Sequence, residues 1–346
     1  MSEDSRFRFL SEDDITALKS RSKAANTTKS TNVWVRAYNS WRLKRGFQET
    51  LETTDPVVLN KRLESFYAEL TKQNGEDYEP SCLTVMLAAL DRHLKDSGCT
   101  FSLQDRNFHT SREVLNGKAK HLRHQGKGKR PFKADSISPA EEDILWNQGH
   151  LGTHSPHTLI WTLWWVLNQQ VGGRGQEGHH ELKIEEFTPR TDEAGREYLH
   201  FIEGPRKTRQ GGLNHKERPV FPRIYRTNLS RCPFTIFKIY KSKRPESLKD
   251  EGPLYLSPIS RPATDVWYKS DIPMGINKLS TVVKDVIKGS PLENNGKRYT
   301  NHSIRKTTVK KLRSQGIPKE DVRTVTGHKR SDSLDAYDSG DSNNGS

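Results

Sequence analysis

Six side chains in the later part of the sequence are of the types that act on a phosphodiester. Arg174 stands in GGRGQEGHHEL, and Lys207 in GPRKTRQGG. His302 and Arg305 are three apart in NHSIRKTTVKKL, His328 lies in TGHKR, and Tyr337 follows nine residues later in LDAYDSG. Arginine presents a planar fork that binds phosphate oxygens in pairs and stays charged at any working pH. Two such forks suit the extra negative charge of a pentavalent phosphoryl transition state. Histidine moves a proton near neutrality or donates to a non-bridging oxygen. A lysine on a hairpin can hand a proton to a departing alkoxide. Tyrosine, with an unperturbed pKa of ~10, is a competent nucleophile and later a tolerable leaving group. Such a set needs no carboxylate cluster, hence no metal and no other cofactor.

The elements around these residues set where they can point. Ser138-Pro139-Ala140-Glu141 reads as a capped helix start, and residues 139–149 and 155–170 read as helices. The stretch 159–167, LIWTLWWVL, is the most apolar in the chain. Trp161, Trp164 and Trp165 share one face there, as core packing requires. EYLHFIE (197–203) and RPVF (218–221) read as strands flanking the basic loop that carries Lys207. Further helices are expected near 233–243, 276–288, 302–315 and 319–326, so that His302 and Arg305 share one turn. Ahead of residue 125 the pattern is helical throughout. Ser11 to Asp14 resembles a capping box for a helix to about residue 24. Val33, Val35, Tyr38 and Trp41 mark a second helix, and Leu59, Leu63, Phe66 and Leu70 a third. Leu83, Met86, Leu87, Leu90 and Leu94 mark a fourth, and a fifth spans about 111–124. The expected fold is mainly α with a small β-sheet. It divides into a helical domain (1–125), a basic linker (126–137) and a mixed domain (138–346), with Gly117, Gly126, Gly128 and Pro131 breaking the helical pattern between them. The polar tail 338–346 reads as disordered.

Composition narrows the partner. The 346 residues carry a formal net charge of +14, with 32% hydrophobic residues and a mean hydropathy of −0.88. No run approaches the ~18 apolar residues of a membrane span, and the N-terminal stretch lacks the apolar core of a secretion signal. Three scattered cysteines (Cys82, Cys99, Cys232) make no disulfide framework or zinc ribbon, and Cys232 reads as a core residue. The cations cluster. Residues 117–133 hold seven Lys or Arg and no acid, 205–226 hold seven against Glu217, and 297–330 hold eleven against Glu320 and Asp321. Clusters of that kind bind a polyanion through counterion release, positioning the protein without specifying a site. Lys118, Lys120, Arg123, Lys127, Lys129, Arg130 and Arg209 are the expected phosphate contacts.

In its order R … K … HxxR … GH … Y, the sequence resembles the tyrosine recombinases, or phage-type integrases. The family's first arginine is followed three residues later by an acid, here Glu177, read as a structural neighbour of the site. A step into a strand comes next, here LKIEEF (182–187). HxLRHT is matched by His302-Ser303-Ile304-Arg305-Lys306-Thr307, and the Gly-His with a later tyrosine by Gly327-His328 and Tyr337. GRGQEGHHEL and TTKSTNVWVRAYNSWRLKRG are most similar to eukaryotic Crypton-type transposon recombinases.

The resemblance implies a two-domain clamp on double-stranded DNA, with a helical core-binding domain and a catalytic domain. Tyr337 would attack the scissile phosphate and form a 3′-phosphotyrosyl link. Arg174, Arg305 and His328 would stabilise the transition state. Lys207 would protonate the leaving 5′ oxygen, and His302 would serve Tyr337 as base or holder. It also implies a homo-oligomer on DNA, a tetramer in synapsis, with neither ATP, membrane nor small-molecule substrate. The location would be the nucleus if the source is eukaryotic and otherwise the cytoplasm, not the secreted space. Two neighbouring readings share these residues: a type IB topoisomerase-like relaxing enzyme and a domesticated DNA-binding protein that no longer cuts. Two formal motifs fail on context. His180-Glu181 is not a zinc-protease motif, because Ile184 stands where its second histidine belongs. The G-x-G-x-x-G of 173–178 follows a helix-like segment, where a dinucleotide fingerprint needs a strand.

Overall fold

A computed structural model of the chain describes residues 7–129, 133–171, 178–202, 204, 222–328 and 331–335. The chain divides into two compact bodies, Met1–Pro131 and Phe132–Ser346. It is mainly helical, with two small antiparallel sheets in the second body.

The first body holds helices α1 (Glu12–Arg21), α2 (Ala25–Lys44), α3 (Pro56–Glu69), α4 (Pro80–Asp96) and α5 (His109–His124). Each start has a local cause. The Ser11 hydroxyl accepts from Asp14 N–H while the Asp14 carboxylate accepts from Ser11 N–H, a full capping box. Asp55 accepts from Val57 N–H at 2.9 Å ahead of Pro56 at the first helical position. Helix α3 packs on α5 and α2 on α4. Their core joins Tyr38, Leu59, Leu63, Phe66, Tyr67, Met86, Leu90 and Phe108. Val33 departs from expectation and is exposed, while Trp34 is buried. Trp34, Tyr38 and Trp41 follow the i, i+4, i+7 spacing and supply the larger apolar area, so they define the inner face. Gly117 departs too: it lies inside α5, where a Cβ would meet nothing within 4 Å. Buried Leu115 and Leu122 carry the helix through it, against the ~1 kcal/mol that an interior glycine costs. The helix yields only at Gly126, whose φ of +85° favours glycine.

The second body is built on α7 (Pro156–Val171), buried on nearly every side; Trp164 and Trp165 are covered and Trp161 packs at the edge of the same core. Helices α6 (Pro139–Asn147), α8 (Pro233–Ser242), α9 (Ile276–Leu279), α10 (Val282–Ile287), α11 (Asn301–Ser314) and α12 (Lys319–Thr326) complete its helical part. Strands β1 (Phe187–Thr191), β2 (Glu197–Phe201) and β3 (Arg223–Tyr225) pair in that order, with Phe187 opposite Phe201 and Leu199 opposite Ile224. A second pair joins β4 (Leu256–Pro258) to β5 (Tyr268–Pro273). Cys232 is buried in this core. The strand expected at 218–221 lies outside the described residues, and the partner of β2 starts at Arg223. The helix expected over 276–288 is broken in two. Ser280 and Thr281 hydroxyls donate to the carbonyls of Asn277 and Lys278 at 2.7 and 3.1 Å, a local alternative to continuing the helix. No helix among the described residues is long and apolar enough to cross a membrane.

Helix α1 fully buries no residue, and only Ile15 is half-buried, so it leans heavily on its own caps. Isolated helices shorter than ~12–15 residues are marginal in water, and an N-cap is worth about 1 kcal/mol. Ser11→Ala is therefore expected to speed hydrogen exchange at the amides of Thr16 to Arg21 while leaving the thermal midpoint of the chain unmoved. A drop in that midpoint would show that α1 is held by more than its cap.

Candidate active site

Helix α11 begins at another capping box. The Thr300 hydroxyl accepts from His302 N–H at 3.2 Å, and Thr300 N–H donates to Ser303 Oγ at 3.0 Å. One turn on, Arg305 is only 5% exposed, a burial that a permanent cation tolerates only with partners around it. His302 stands at the solvent edge of the same turn. Desolvation by the surrounding protein, with the positive charges of Arg305 and Lys306, pushes its pKa below the ordinary histidine value. The imidazole is thereby kept neutral and able to accept a proton.

His328 reaches this helix from another direction. Helix α12 ends at Gly327, whose φ of +66° lets the chain reverse, and His328 N–H closes the turn on Arg323 O at 3.1 Å. The imidazole then meets Arg305, whose Nε donates to His328 Nε2 at 3.2 Å. On the other side of the ring, Nδ1 is 2.6 Å from Thr326 Oγ1. Val309, Val322 and Leu334 form a small core under this turn, tying α11, α12 and the segment 331–335 together. Lys319 pairs with Asp335 beside it.

Polar contacts lock α11 in place. Asn301 accepts from Val283 N–H at 3.0 Å and donates to Leu279 O at 2.7 Å. Ile137 N–H donates to Thr307 Oγ1 at 2.8 Å, and Lys306 Nζ donates to Ala134 O at 3.2 Å. Thr308 Oγ1 donates to Gln169 O, in the last turn of α7, at 3.1 Å. Helix α6 splints the approach. The Glu141 carboxylate accepts from Lys297 Nζ at 2.7 Å, Tyr299 Oη at 2.6 Å and Ser138 N–H at 2.8 Å. Glu142 next to it accepts from Trp165 Nε1 and Gln169 Nε2, both at 2.9 Å. Burial alone would raise the Glu141 pKa, but these donors hold it down at about 2.

Of the expected site residues, the structure brings Arg305 and His328 into contact and sets His302 on the same helix turn. Arg174, Glu177, Lys207 and Tyr337 lie outside the described residues, as do Arg130, Arg209 and the tail 338–346. The expected phosphate contacts divide. Lys118 turns inward, its Nζ donating to Ala68 O and Leu70 O at 2.9 and 2.6 Å, and burial pushes its pKa down. Lys127 Nζ donates to Asp77 O at 3.0 Å. Both are half-buried and bond carbonyls of their own domain, which gives them a structural job. Lys120, Arg123 and Lys129 are exposed. Thr326, Glu141 and the α11 threonines escaped the sequence reading. Glu141 was legible only as a cap, and a threonine immediately before Gly327-His328 carries no signal by itself. Among the described residues, no group of three or more His, Cys, Asp or Glu is arranged to hold a metal ion.

Residues 136–288 match a family model described as a domain of unknown function, DUF3504. The chain is similar to uncharacterized protein KIAA1958 of Homo sapiens, with 27% identity over 293 residues, 82% of this chain and 40% of that protein. It is similar to zinc finger MYM-type protein 2 of Homo sapiens, with 30% identity over 241 residues, 64% of this chain and 17% of that protein. The chain thus spans less than half the length of either relative. Among solved structures, lambda integrase (75–356), a dimer bound to a COC′ core site, superposes with a TM-score of 0.48 and 14% identity, covering 96% of this chain and 94% of that one.

The Glu141 hub gives a pH signature. A carboxyl held at about 2 against an ordinary 4.5 adds stability that is complete above 4.5 and is lost as pH falls through about 2. Glu141→Gln is expected to lower stability at neutral pH and to flatten the acid limb of a stability–pH curve between those values. An unchanged limb would mean that the carboxylate is not held by these donors.

Proposed function

We propose that the chain is a DNA strand-cleaving and rejoining enzyme of the tyrosine recombinase type. The observation that carries this reading is the contact of Arg305 with His328. Two members of a motif order, 23 positions apart, meet beside a third, His302, on a helix held from several sides. In the proposed reaction the Tyr337 oxygen attacks the scissile phosphorus of double-stranded DNA, giving its proton to His302. The bond from phosphorus to the 5′ oxygen breaks, and Lys207 protonates that oxygen. The products are a 3′-phosphotyrosyl link and a 5′-hydroxyl. Arg174 and Arg305 neutralise the pentavalent phosphate. The link conserves phosphodiester energy, so attack by another 5′-hydroxyl completes the exchange without ATP. The Crypton-like wording of the sequence makes a transposon-derived recombinase the specific form of the proposal, acting in the nucleus as an oligomer on paired sites. The exposed Lys120, Arg123 and Lys129 supply sequence-independent attraction to the phosphate backbone.

Two measurements test the reading. Incubated without metal with nicked duplexes of varied sequence, the wild-type chain is expected to give a covalent protein–DNA band on a denaturing gel, and Tyr337→Phe none. A wild-type chain that retards duplex DNA yet gives no such band would instead be a DNA-binding protein that does not cut. For the surface cations, replacing Lys120, Arg123 and Lys129 together by glutamine is expected to lower the slope of log affinity against log salt by about two to three. Lys118→Gln is expected to act differently, lowering thermal stability by uncapping Ala68 and Leu70. An unchanged slope in the triple variant would remove these residues from the interface.

A further inference from the structure

We propose that Thr326 is a positioning residue: its hydroxyl selects the imidazole tautomer of His328 that accepts a hydrogen bond from Arg305, and so fixes the guanidinium in place. The functional half of this inference rests on the reading above; the tautomer half stands on geometry alone. The direction of each bond is forced by the one before it. Arginine has donors and no acceptor, so the 3.2 Å contact from Arg305 Nε requires a lone pair on His328 Nε2. A neutral imidazole with that lone pair carries its proton on Nδ1. Nδ1 faces Thr326 Oγ1 at 2.6 Å, and the single hydroxyl proton of Thr326 is committed to Val322 O, also at 2.6 Å. The hydroxyl therefore receives from the ring and gives to the backbone. A relay runs from Arg305 through His328 and Thr326 to a carbonyl of α12. Moving the ring proton to Nε2 would set two donors against each other at Arg305 and draw the Thr326 proton away from Val322 O.

The relay changes what His328 does. Family resemblance implies a histidine that donates to the phosphate. In this arrangement its Nε2 accepts from Arg305, so His328 acts on the phosphate through Arg305. Fixing Nε removes the swing of a long, flexible stem, and the other guanidinium donors lie in a plane set by that one bond. Thr326 is 2% exposed, which keeps water from replacing its hydroxyl as the partner of Nδ1.

The test uses the full chain with 15N-labelled histidine at about pH 8, above the ordinary histidine range, with the His328 signals assigned by their absence in His328→Gln. The wild type is expected to show His328 in the Nδ1–H form. Thr326→Val, of the same shape without the hydroxyl, is expected to lose that signature, and Thr326→Ser to keep it. On the nicked duplex, Thr326→Val is expected to slow covalent adduct formation about tenfold or more at unchanged DNA affinity, and Thr326→Ser to restore it. A wild-type ring in the Nε2–H form overturns the inference without any variant, as does a Thr326→Val chain with the wild-type signature and rate. A wild type that forms no adduct counts against the proposed function instead, and the tautomer measurement then decides for or against Thr326 alone.

Discussion

A guanidinium held out of water at Arg305 is the constraint around which the later part of the chain is arranged. It cannot shed its charge, so its surroundings must solvate it with fixed groups. His328 supplies one such group, on a helix whose other buried residues are mostly polar too. Asn301, Ser303, Arg305, Lys306, Thr307 and Thr308 are all buried, against only Ile304 and Val309 among the apolar residues of the helix. A greasy face would bury such a helix but leave it free to roll or slide by small amounts. Hydrogen bonds between three separate stretches of chain and Asn301, Thr307 and Thr308 restrain the helix about its axis. A side chain whose chemistry depends on where its fork points gains from being mounted this way.

Helix α6 shows the same economy. Adjacent residues on a helix point about 100° apart, so Glu141 and Glu142 cannot serve one neighbour. Glu141 takes the chain that leads into α11, and Glu142 takes the side of α7. Nine residues of helix thus act as a splint between the most apolar helix of the fold and the most polar one. The carboxylates serve here as fixed acceptors; neither is required as an acid or a base.

How much of this was legible follows from the kind of force involved. Helices α3, α4 and α7 were readable because apolar side chains at helical spacing define a face, and their interiors match it. The capping boxes at Ser11 and Ser138 were readable because they are local. The helix carrying His302 and Arg305 was placed by motif spacing, but its burial was not, since a low-hydropathy segment reads as a solvent-facing one. Strands β4 and β5 pair with each other as neighbours along the chain, but β4 is three residues long, too short for alternation to register. Val33 marks α2 but lies on its outer face, because the larger Trp34 and Tyr38 define the inner one.

Charge was the least legible property, and the reason is geometric. Seven cations between 117 and 133 look like one surface when counted, yet a lysine stem spans several ångströms and can end in either direction. Lys118 ends on two carbonyls at the close of α3, and Lys127 on the carbonyl of Asp77. The Lys118 ammonium satisfies acceptors that the end of α3 leaves over, and the Lys127 ammonium satisfies one in the loop ahead of α4. Lys120, Arg123 and Lys129 sit in water, where their pull on a polyanion is real but screened within a Debye length. Arg305 belongs to neither group. Buried and bonded to His328, its charge is screened by salt far less than theirs. A net charge of +14 therefore sums cations in three unlike surroundings: bonded to backbone carbonyls, exposed to water, and buried beside His328.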